Sequence, residues 1–486
     1  MERESTINAT PLAAHPTIFV IMGITGDLAL RKLLPALLGL FSKKLLPPRF
    51  FIVGFSRRSF SREEFRDLIR SEMQIKPGQF REEDVKHFLD HMFYEQGYFD
   101  ALPAYSRLAE RLKFIDDRWG QCSNKLFHLS VPPSLYETIV TNLAHSGLTV
   151  PCDDRTGWTR ILVEKPFGHD LETARSLDKL LAKLFQEKQI FRMDHYLAKE
   201  TLQNILAFRF NNPMFAPIWN GEHIDKVHIK LFQANGIEGR GALFDKMGSL
   251  KDVGQNHMLQ MLALIAMNEP RSFKATDIRR ERTAVLASLL KISKAQLARN
   301  IIRGQYSGYL DEPGVGSGSQ TETYFRLKAF LSMSRWRGVP FYLENGKALG
   351  QSKTEIDIYF KNKPRKLFGL GSSGSEGVRD EVVGQNILTF RIQPDEGIKI
   401  KFFLKDPGYG FETTARTLRF KYSETSSLSA LPNDYERLIH DAFTGDQTLF
   451  ASTEEIMASW KFVMPILENW SSLPLKIYER GTSQVG

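Results

Sequence analysis

The sequence predicts an α/β Rossmann-type dinucleotide-binding domain followed by an α+β domain with a large, mainly antiparallel sheet. Three observations carry this expectation. Up to about Asp194, strand-like and helix-like segments alternate, which implies a parallel sheet covered on both faces. A glycine-containing turn, "GITGDLA", joins the first strand to the first helix. After about residue 195 the strand-like segments alternate apolar and polar residues, as in antiparallel strands with one solvated face. A chain of 486 residues exceeds one ordinary core. We expect residues 1–194 to form the first domain, with 1–15 a loose tail, and 195–486 the second.

The elements follow in order. "TIFVIMG" (Thr17–Gly23) is a continuous apolar run and reads as a strand buried on both faces. "LALRKLLPALLGLF" is apolar at helical spacing, with Pro35 a kink. "RFFIVGFS" (Arg49–Ser56) is a second buried strand, and Ser61 with Glu64 makes a capping box that opens a helix. "KLFHLSVPP" and "TRILVEKPFG" are further strands, and Asp170 caps "LETARSLDKLLAKLF". In the second domain "DKVHIKLFQ", "TEIDIYF", "NILTFRIQP", "GIKIKFFL" and "TLRFKYS" read as strands. Helices are expected near Met258–Met267, Ser293–Ile302 and Asn433–Phe443. "GLGSSGSEG" (Gly369–Gly377) and "PGVGSGSQ" (Pro313–Gln320) read as flexible loops, because no helix start follows them.

Composition narrows the function classes. With 42% hydrophobic and 25% charged residues, the chain has the make-up of an ordinary globular protein. No apolar run reaches the ~20 residues of a membrane span, so no membrane partner is expected. The N-terminus lacks the apolar stretch of a signal peptide. Cys122 and Cys152 form neither a CxxC nor a metal spacing, and a reducing, cytoplasmic setting fits them. The net charge of +9 suits anionic ligands. Without a basic stripe interleaved with aromatics, small phosphorylated molecules are favoured and nucleic acid is not. His87 and His91 stand four apart but lack the glutamate of HExxH, so no metal site is expected.

The glycine turn offers Gly23, Thr25, Gly26, Asp27 and Leu28 to a pyrophosphate at a helix N-terminus. Its GxxGxxA pattern alone is equally a tight turn that needs glycine. Position adds weight. An NAD site places a carboxylate after the second strand. Here that strand ends "VGFSRRS", and Arg57 suits the 2′-phosphate of NADP through a bidentate pair; the bland alternative is a solvated arginine at a helix start. "VEKPFG" puts Lys165 at a strand end before a proline, where a cis bond is permitted. There it suits both a cofactor and a sugar, or else an exposed turn.

"FRMDHYLAKE" (Phe191–Glu200) is denser in chemistry. With Asp194 as N-cap, a helix through "YLAKETLQNILAF" sets His195 and Lys199 on one face beside Tyr196. Two donors, a phenol and a helix N-terminus describe a phosphate site. Asp194 suits a different task, orienting an imidazole. "KDVGQNHMLQ" places His257 at the start of an apolar helix. A histidine there suits proton removal from an alcohol, though spacing alone favours a capping or packing role.

Taken in order, "GITGDLA", "EKPFG", "RMDHYLAKE", "GRGALFD" and "DVGQNHMLQ" resemble the glucose-6-phosphate dehydrogenase family. The resemblance extends through "GVPFYLENGKAL", "IQPDEG" and "LPNDYERLIHDAF" over nearly the whole chain. It implies that His257 takes the C1 hydroxyl proton of glucose 6-phosphate, with Asp194 holding His257. Hydride would pass from C1 to NADP, giving 6-phosphogluconolactone. It implies that His195, Tyr196 and Lys199 bind the sugar phosphate, that Lys165 bridges sugar and cofactor, and that Asp252 and Lys347 contact the sugar. The active site is expected between the domains, where two-domain sites often lie; a large sheet with an exposed face suggests oligomerisation, and the resemblance implies a homodimer or homotetramer. Gln233 departs from the family, which often has a glutamate contacting the sugar there. The segment "LKIYERGTSQVG" offers no counterpart to the second, structural NADP site of the animal enzymes, and none is expected. A dehydrogenase of unphosphorylated glucose would not need the His195–Tyr196–Lys199 cluster, and an inactive NADP-binding regulator would not keep both Asp194 and His257.

Overall fold

The computed structural model describes residues 15–152, 157–362, 385–409, 413–424 and 432–485. Residues 1–14 of the expected tail and the "GLGSSGSEG" segment lie outside these. The chain divides into two compact units. The first comprises Met1–Ala198, Ser272–Arg279 and Pro432–Met457; the second comprises Lys199–Arg271, Arg280–Leu431 and Ala458–Gly486.

The first unit is built on a seven-stranded sheet. Its strands are β1 (Thr17–Met22), β2 (Phe50–Ser56), β3 (Met92–Gln96), β4 (Asn124–Leu129), β5 (Thr159–Glu164), β6 (Ile190–Met193) and, from the C-terminal part of the chain, β15 (Phe450–Ala451). The order is β15-β6-β5-β4-β1-β2-β3. β1 to β6 are parallel and β15 is antiparallel to β6. Every residue of β1 is buried, as a central strand covered on both faces requires. The chain runs outward from β1 through β2 to β3, then returns to β4 on the other side of β1. That reversal is the switch point at which doubly wound sheets bind ligands.

Local signals account for the helices of this unit. Ser61 accepts from Glu64 N at 3.2 Å while the Glu64 carboxylate accepts from Ser61 N at 2.7 Å, closing the expected capping box of Arg62–Glu72. Asp170 caps Leu171–Leu184 through Thr173 N at 2.7 Å. At Pro35 the expected helix is interrupted: a π-helical turn over Ala29–Leu33 runs into the α-helix Leu34–Ser42, because the proline has no N–H to continue the ladder.

Cys122 and Cys152, for which the sequence suggests a reducing setting, are instead paired as a disulfide with Cα atoms 6.3 Å apart, a bond rare in that setting. Topology explains the pairing. Cys122 lies just before β4 and Cys152 in the connection leading to β5, and these strands are parallel neighbours. Lys125 Nζ lies 2.8 Å from Asp116 and 3.5 Å from Cys152 Sγ.

The second unit carries a nine-stranded sheet. Its strands are β7 (Ile224–Phe232), β8 (Ile301–Tyr306), β9 (Tyr324–Ala329), β10 (Phe341–Gly346), β11 (Lys353–Phe360), β12 (Ile387–Gln393), β13 (Gly397–Lys405), β14 (Thr413–Lys421) and β16 (Leu475–Tyr478). The order is β14-β13-β12-β11-β7-β10-β9-β8-β16. β7–β10 and β8–β16 are parallel, and the other neighbours are antiparallel. Buried and half-exposed residues alternate along β12, matching the pattern read from its sequence.

Two expectations need correction here. The helix expected over Ser293–Ile302 is a 3-10 turn and a short helix ending at Asn300, because the β-branched pair Ile301–Ile302 opens β8. "PGVGSGSQ" is tied down rather than loose. Asp245 accepts from Gly316 N at 3.1 Å and from the Tyr309 hydroxyl at 2.8 Å, and also from the Ser319 hydroxyl. Among the described residues no helix is long and apolar enough to cross a membrane.

Candidate active site

In the first unit the candidate residues gather at the C-terminal ends of the parallel strands. Gly23 follows β1, Arg57 follows β2, Lys165 follows β5 and Asp194 follows β6. Gly23 has φ +89°, and a Cβ there would lie 2.5 Å from Ser130 O and 2.8 Å from the Val131 side chain. Only glycine fits both the backbone conformation and the space. Its N–H donates to Phe55 O at 2.8 Å, and its carbonyl accepts from Gly26 N at 3.0 Å, so the turn is closed by its own backbone. Helical structure begins at Asp27 and continues through the π-helical turn, leaving its first N–H groups at the switch point. Asp27 pairs along the helix with Arg31 at 3.4 Å. Its backbone, rather than its carboxylate, therefore suits a phosphate.

Arg57 is exposed. The turn that carries it is held from β3. Gln96 Nε2 donates to Arg57 O at 3.2 Å, and the Tyr94 hydroxyl meets Arg58 O and, at 2.9 Å, Ser56 Oγ. Thr25 Oγ1 reaches Ser56 Oγ at 3.3 Å, linking the glycine turn to the arginine turn. Ser56, Tyr94 and Ser130 escape a sequence reading, because each is a polar residue within or just after a strand with no motif around it.

Lys165 is half-buried, and its bond to Pro166 is cis. Asp194 is 2% exposed. It does not cap a helix. Its Oδ1 accepts from Tyr196 N at 3.0 Å and its carbonyl accepts from Leu197 N at 3.0 Å, forming an Asx-type turn. The helix starts at Glu200 with Lys199 as its N-cap residue. His195 and Lys199 are therefore not i, i+4 on one helix face. The carboxylate has taken the Tyr196 amide for a turn and delayed the helix. The His195 ring lies 5.0 Å from that of Tyr196 and stacks towards Tyr435 at 6.5 Å.

The second unit carries a group of candidate residues of its own. Gln233 and Lys347 follow the paired ends of the parallel strands β7 and β10. Lys347 is 3% exposed, and its Nζ donates to Gln233 Oε1 at 2.7 Å, lies 3.8 Å from Asp252 and sits 4.9 Å from the Phe244 ring centre. Asp252 and His257 lie on a π-helix, Leu250–Met258, which runs into the α-helix Leu259–Ala266. Such turns recur at functional sites because they re-aim side chains. Asn256 braces this one: its Nδ2 donates to Lys251 O at 3.2 Å and Asp252 O at 3.0 Å, and its Oδ1 accepts from His257 N at 2.7 Å. Gly254 makes room, since a Cβ there would press on Phe325 at 2.8 Å. His257 is 1% exposed.

The far end of the same helix is closed carbonyl by carbonyl. Arg209 donates to Leu264 O at 2.7 Å and Met267 O at 2.6 Å, Trp219 Nε1 to Ile265 O at 2.9 Å, and Trp336 Nε1 to Ala266 O at 2.8 Å. All four carbonyls that a helix C-terminus leaves unsatisfied are met, and a cation stands at the negative end of the dipole. Burial lowers the Arg209 pKa to about 9.

Comparison with known proteins places these units. The family model described as glucose-6-phosphate dehydrogenase, NAD binding domain, matches residues 20–204, and that described as glucose-6-phosphate dehydrogenase, C-terminal domain, matches residues 206–485. A glucose-6-phosphate 1-dehydrogenase of Chlamydia pneumoniae is 38% identical, covering 98% of this chain and 94% of its own length. That of Aggregatibacter actinomycetemcomitans is 39% identical, covering 96% and 93%. A solved glucose-6-phosphate dehydrogenase in complex with its substrate glucose 6-phosphate superposes with TM-score 0.87 and 34% identity, covering 96% of this chain and 95% of that one. The enzyme from Mycobacterium avium gives 0.81 and 32% over the same shares.

Proposed function

The chain belongs to the glucose-6-phosphate dehydrogenase family, and from that premise we propose that it oxidises D-glucose 6-phosphate at C1 to 6-phospho-D-glucono-1,5-lactone with NADP as acceptor. One observation carries this reading: both family domains match in order across residues 20–485. The glycine cradle at the sheet's switch point and the exposed Arg57 fit a dinucleotide bearing a 2′-phosphate. When bound, NADP supplies the hydride acceptor.

The chain's own residues have distinct tasks in this proposal. Gly23 and Gly26, whose own N–H groups close the turn, leave room for the pyrophosphate, and Thr25, Asp27 and Leu28 offer it backbone N–H groups at the helix start. Arg57 takes the 2′-phosphate. His195, Tyr196 and Lys199 hold the sugar phosphate, and Lys165 reaches both sugar and cofactor. Gln233, Asp252 and Lys347 fix the sugar hydroxyls. His257 removes the proton from the C1 hydroxyl as the C1 hydride leaves, and Asp194 orients the imidazole and stabilises the imidazolium. The buried setting of His257 supports such a role, because a dry site strengthens each electrostatic contact. We further propose a homodimer or homotetramer; exposed Leu418 and Phe420 on β14 are apolar surface that association would cover.

The test is the appearance of NADPH absorbance when purified protein meets glucose 6-phosphate, glucose and other hexose phosphates, each with NADP and with NAD. A rise with glucose 6-phosphate and NADP supports the proposal. Turnover of unphosphorylated glucose at equal rate, or none with any sugar, overturns it.

A further inference from the structure

We infer that Glu322 is a positioning residue: its buried carboxylate bolts the start of the helix carrying Asp252 and His257 to the strand segment that holds Lys347. The inference deepens the proposed function and rests on the tasks given there to these three side chains.

Glu322 is 4% exposed and lies immediately before β9. Its Oε1 accepts from Leu250 N at 2.9 Å, its Oε2 accepts from the Trp470 indole N–H at 2.8 Å, and its carbonyl accepts from Ser249 N at 3.1 Å. Gly248 has φ +70°, and a Cβ there would lie 2.6 and 2.7 Å from the two carboxylate oxygens. The carboxylate thus lies flat against a backbone that only glycine can provide. Two consecutive N–H groups at the mouth of the π-helix are met by one residue. Glu322 closes the N-terminal end of the helix by accepting hydrogen bonds, as Arg209 closes the C-terminal end by donating them.

The next residue completes the link. Thr323 O accepts from Lys347 N at 3.0 Å. Thr323 Oγ1 lies 2.9 Å from the Tyr478 hydroxyl, which donates to Lys347 O at 2.7 Å. The backbone of Lys347 is therefore held on both sides by Thr323 and its partner, one residue from the carboxylate that holds Leu250. Asp252 is two residues beyond Leu250, and its carboxylate lies 3.8 Å from Lys347 Nζ. The Glu322–Thr323 pair sets the spacing between these two sugar-facing groups. Displacements of about 1 Å cost an enzyme roughly a hundredfold in rate.

Glu322→Gln, Trp470→Phe and the double variant test this in the full chain. In Glu322→Gln the amide N–H₂ must face either the Leu250 or the Trp470 donor, so one bond becomes a donor–donor contact. We expect kcat to fall about tenfold to a hundredfold and KM for glucose 6-phosphate to rise, with NADP affinity unchanged. Trp470→Phe leaves the Leu250 bond intact, and kcat should stay within about threefold of the parent even if the melting temperature falls. The double variant lets the amide oxygen face Leu250 without opposition, so part of the lost kcat should return. Purely structural damage would instead add in the double variant. Glu322→Gln kinetics within about twofold of the parent, or losses in all three variants that simply track stability, overturn the inference. Amide exchange at Leu250 and Lys347 reads the same linkage without turnover. If the parent enzyme fails to turn over glucose 6-phosphate, the proposed function falls, while faster exchange at both amides in Glu322→Gln still supports the linkage and unchanged exchange overturns it.

Discussion

Lys347 Nζ donates a hydrogen bond to Gln233 Oε1 at 2.7 Å. The two residues leave parallel neighbouring strands one after the other, with Gly346 paired to Phe232, so the backbone fixes their approach. A neutral amide therefore sits where a carboxylate would form an ion pair with Lys347. Gln233→Glu should strengthen the bond to a sugar hydroxyl, since charge-assisted hydrogen bonds exceed neutral ones by about 1 kcal/mol. We expect KM for glucose 6-phosphate to fall about fivefold, with NADP kinetics unchanged. Steady-state kinetics decide, and a KM that stays constant or rises removes Gln233 from the sugar site.

Arg57→Ala should discriminate between the two dinucleotides. The guanidinium is exposed, while its turn is held by Gln96 through the Arg57 carbonyl, which alanine retains. The substitution removes a charge without moving the backbone. Losing a charge-assisted phosphate contact of about 1.5–3 kcal/mol should weaken NADP roughly 10- to 100-fold and leave NAD unchanged. Equal losses for both cofactors contradict the assignment.

His257→Asn should lower kcat by about a hundredfold to ten-thousandfold, the usual contribution of a general base, while glucose 6-phosphate still binds. Asparagine leaves the brace from Asn256 to the 257 amide in place, because that bond is to the backbone. Calorimetric binding and turnover at saturation separate the two effects. Preserved turnover with lost binding would make His257 a substrate ligand instead.

The sequence shows what depends on neighbours in the chain. Strands β1, β2, β4 and β5 follow from apolar runs, and the capping box at Ser61 follows from residues three apart. It does not show what depends on distant partners. Glu322 meets Leu250 72 residues away and Trp470 148 residues away, and no periodicity records such a pairing. The π-helix over Leu250–Met258 is hidden for another reason: its amphipathic spacing is close to that of an α-helix, and the tight approach of Gly254 to Phe325 involves a residue distant in the chain. At Asp194 a local rule was visible but two applied. Aspartate favours both a helix N-cap and an Asx turn, and the turn won.

Asp245 should make part of the second unit sensitive to acid. Burial works against its charge, but hydrogen bonds from Ser319, Gly316, Tyr309 and Thr321 hold its carboxyl below the usual range. A depressed carboxyl contributes stability above its unfolded pKa, and that contribution disappears as pH falls through the folded value. The loop 313–320 should therefore loosen below the ordinary aspartate range and be intact at neutral pH. Amide exchange at Gly316, whose N–H donates to Asp245, should accelerate on acidification beyond the intrinsic trend. Asp245→Asn should abolish that excess, and an excess that persists in the variant would assign it to another group.

Reduction should destabilise the first unit without touching its ligand-binding edge. The Cys122–Cys152 bridge spans a sequence separation of 30 residues and ties the chain entering β4 to the connection leading into β5. Gly23, Arg57 and Lys165 stand at the opposite, C-terminal ends of their strands. A loop of this size restricts the unfolded chain by about 3–4 kcal/mol in the chain-entropy account. Dithiothreitol, or Cys122→Ser with Cys152→Ser, should lower the denaturant midpoint of the first unit, while NADP affinity at low denaturant stays the same. A midpoint indifferent to reductant would show that the thiols are not bridged in solution. A loss of NADP affinity on reduction would show that the two ends of the sheet are coupled, which the separation of the bridge from the glycine turn argues against.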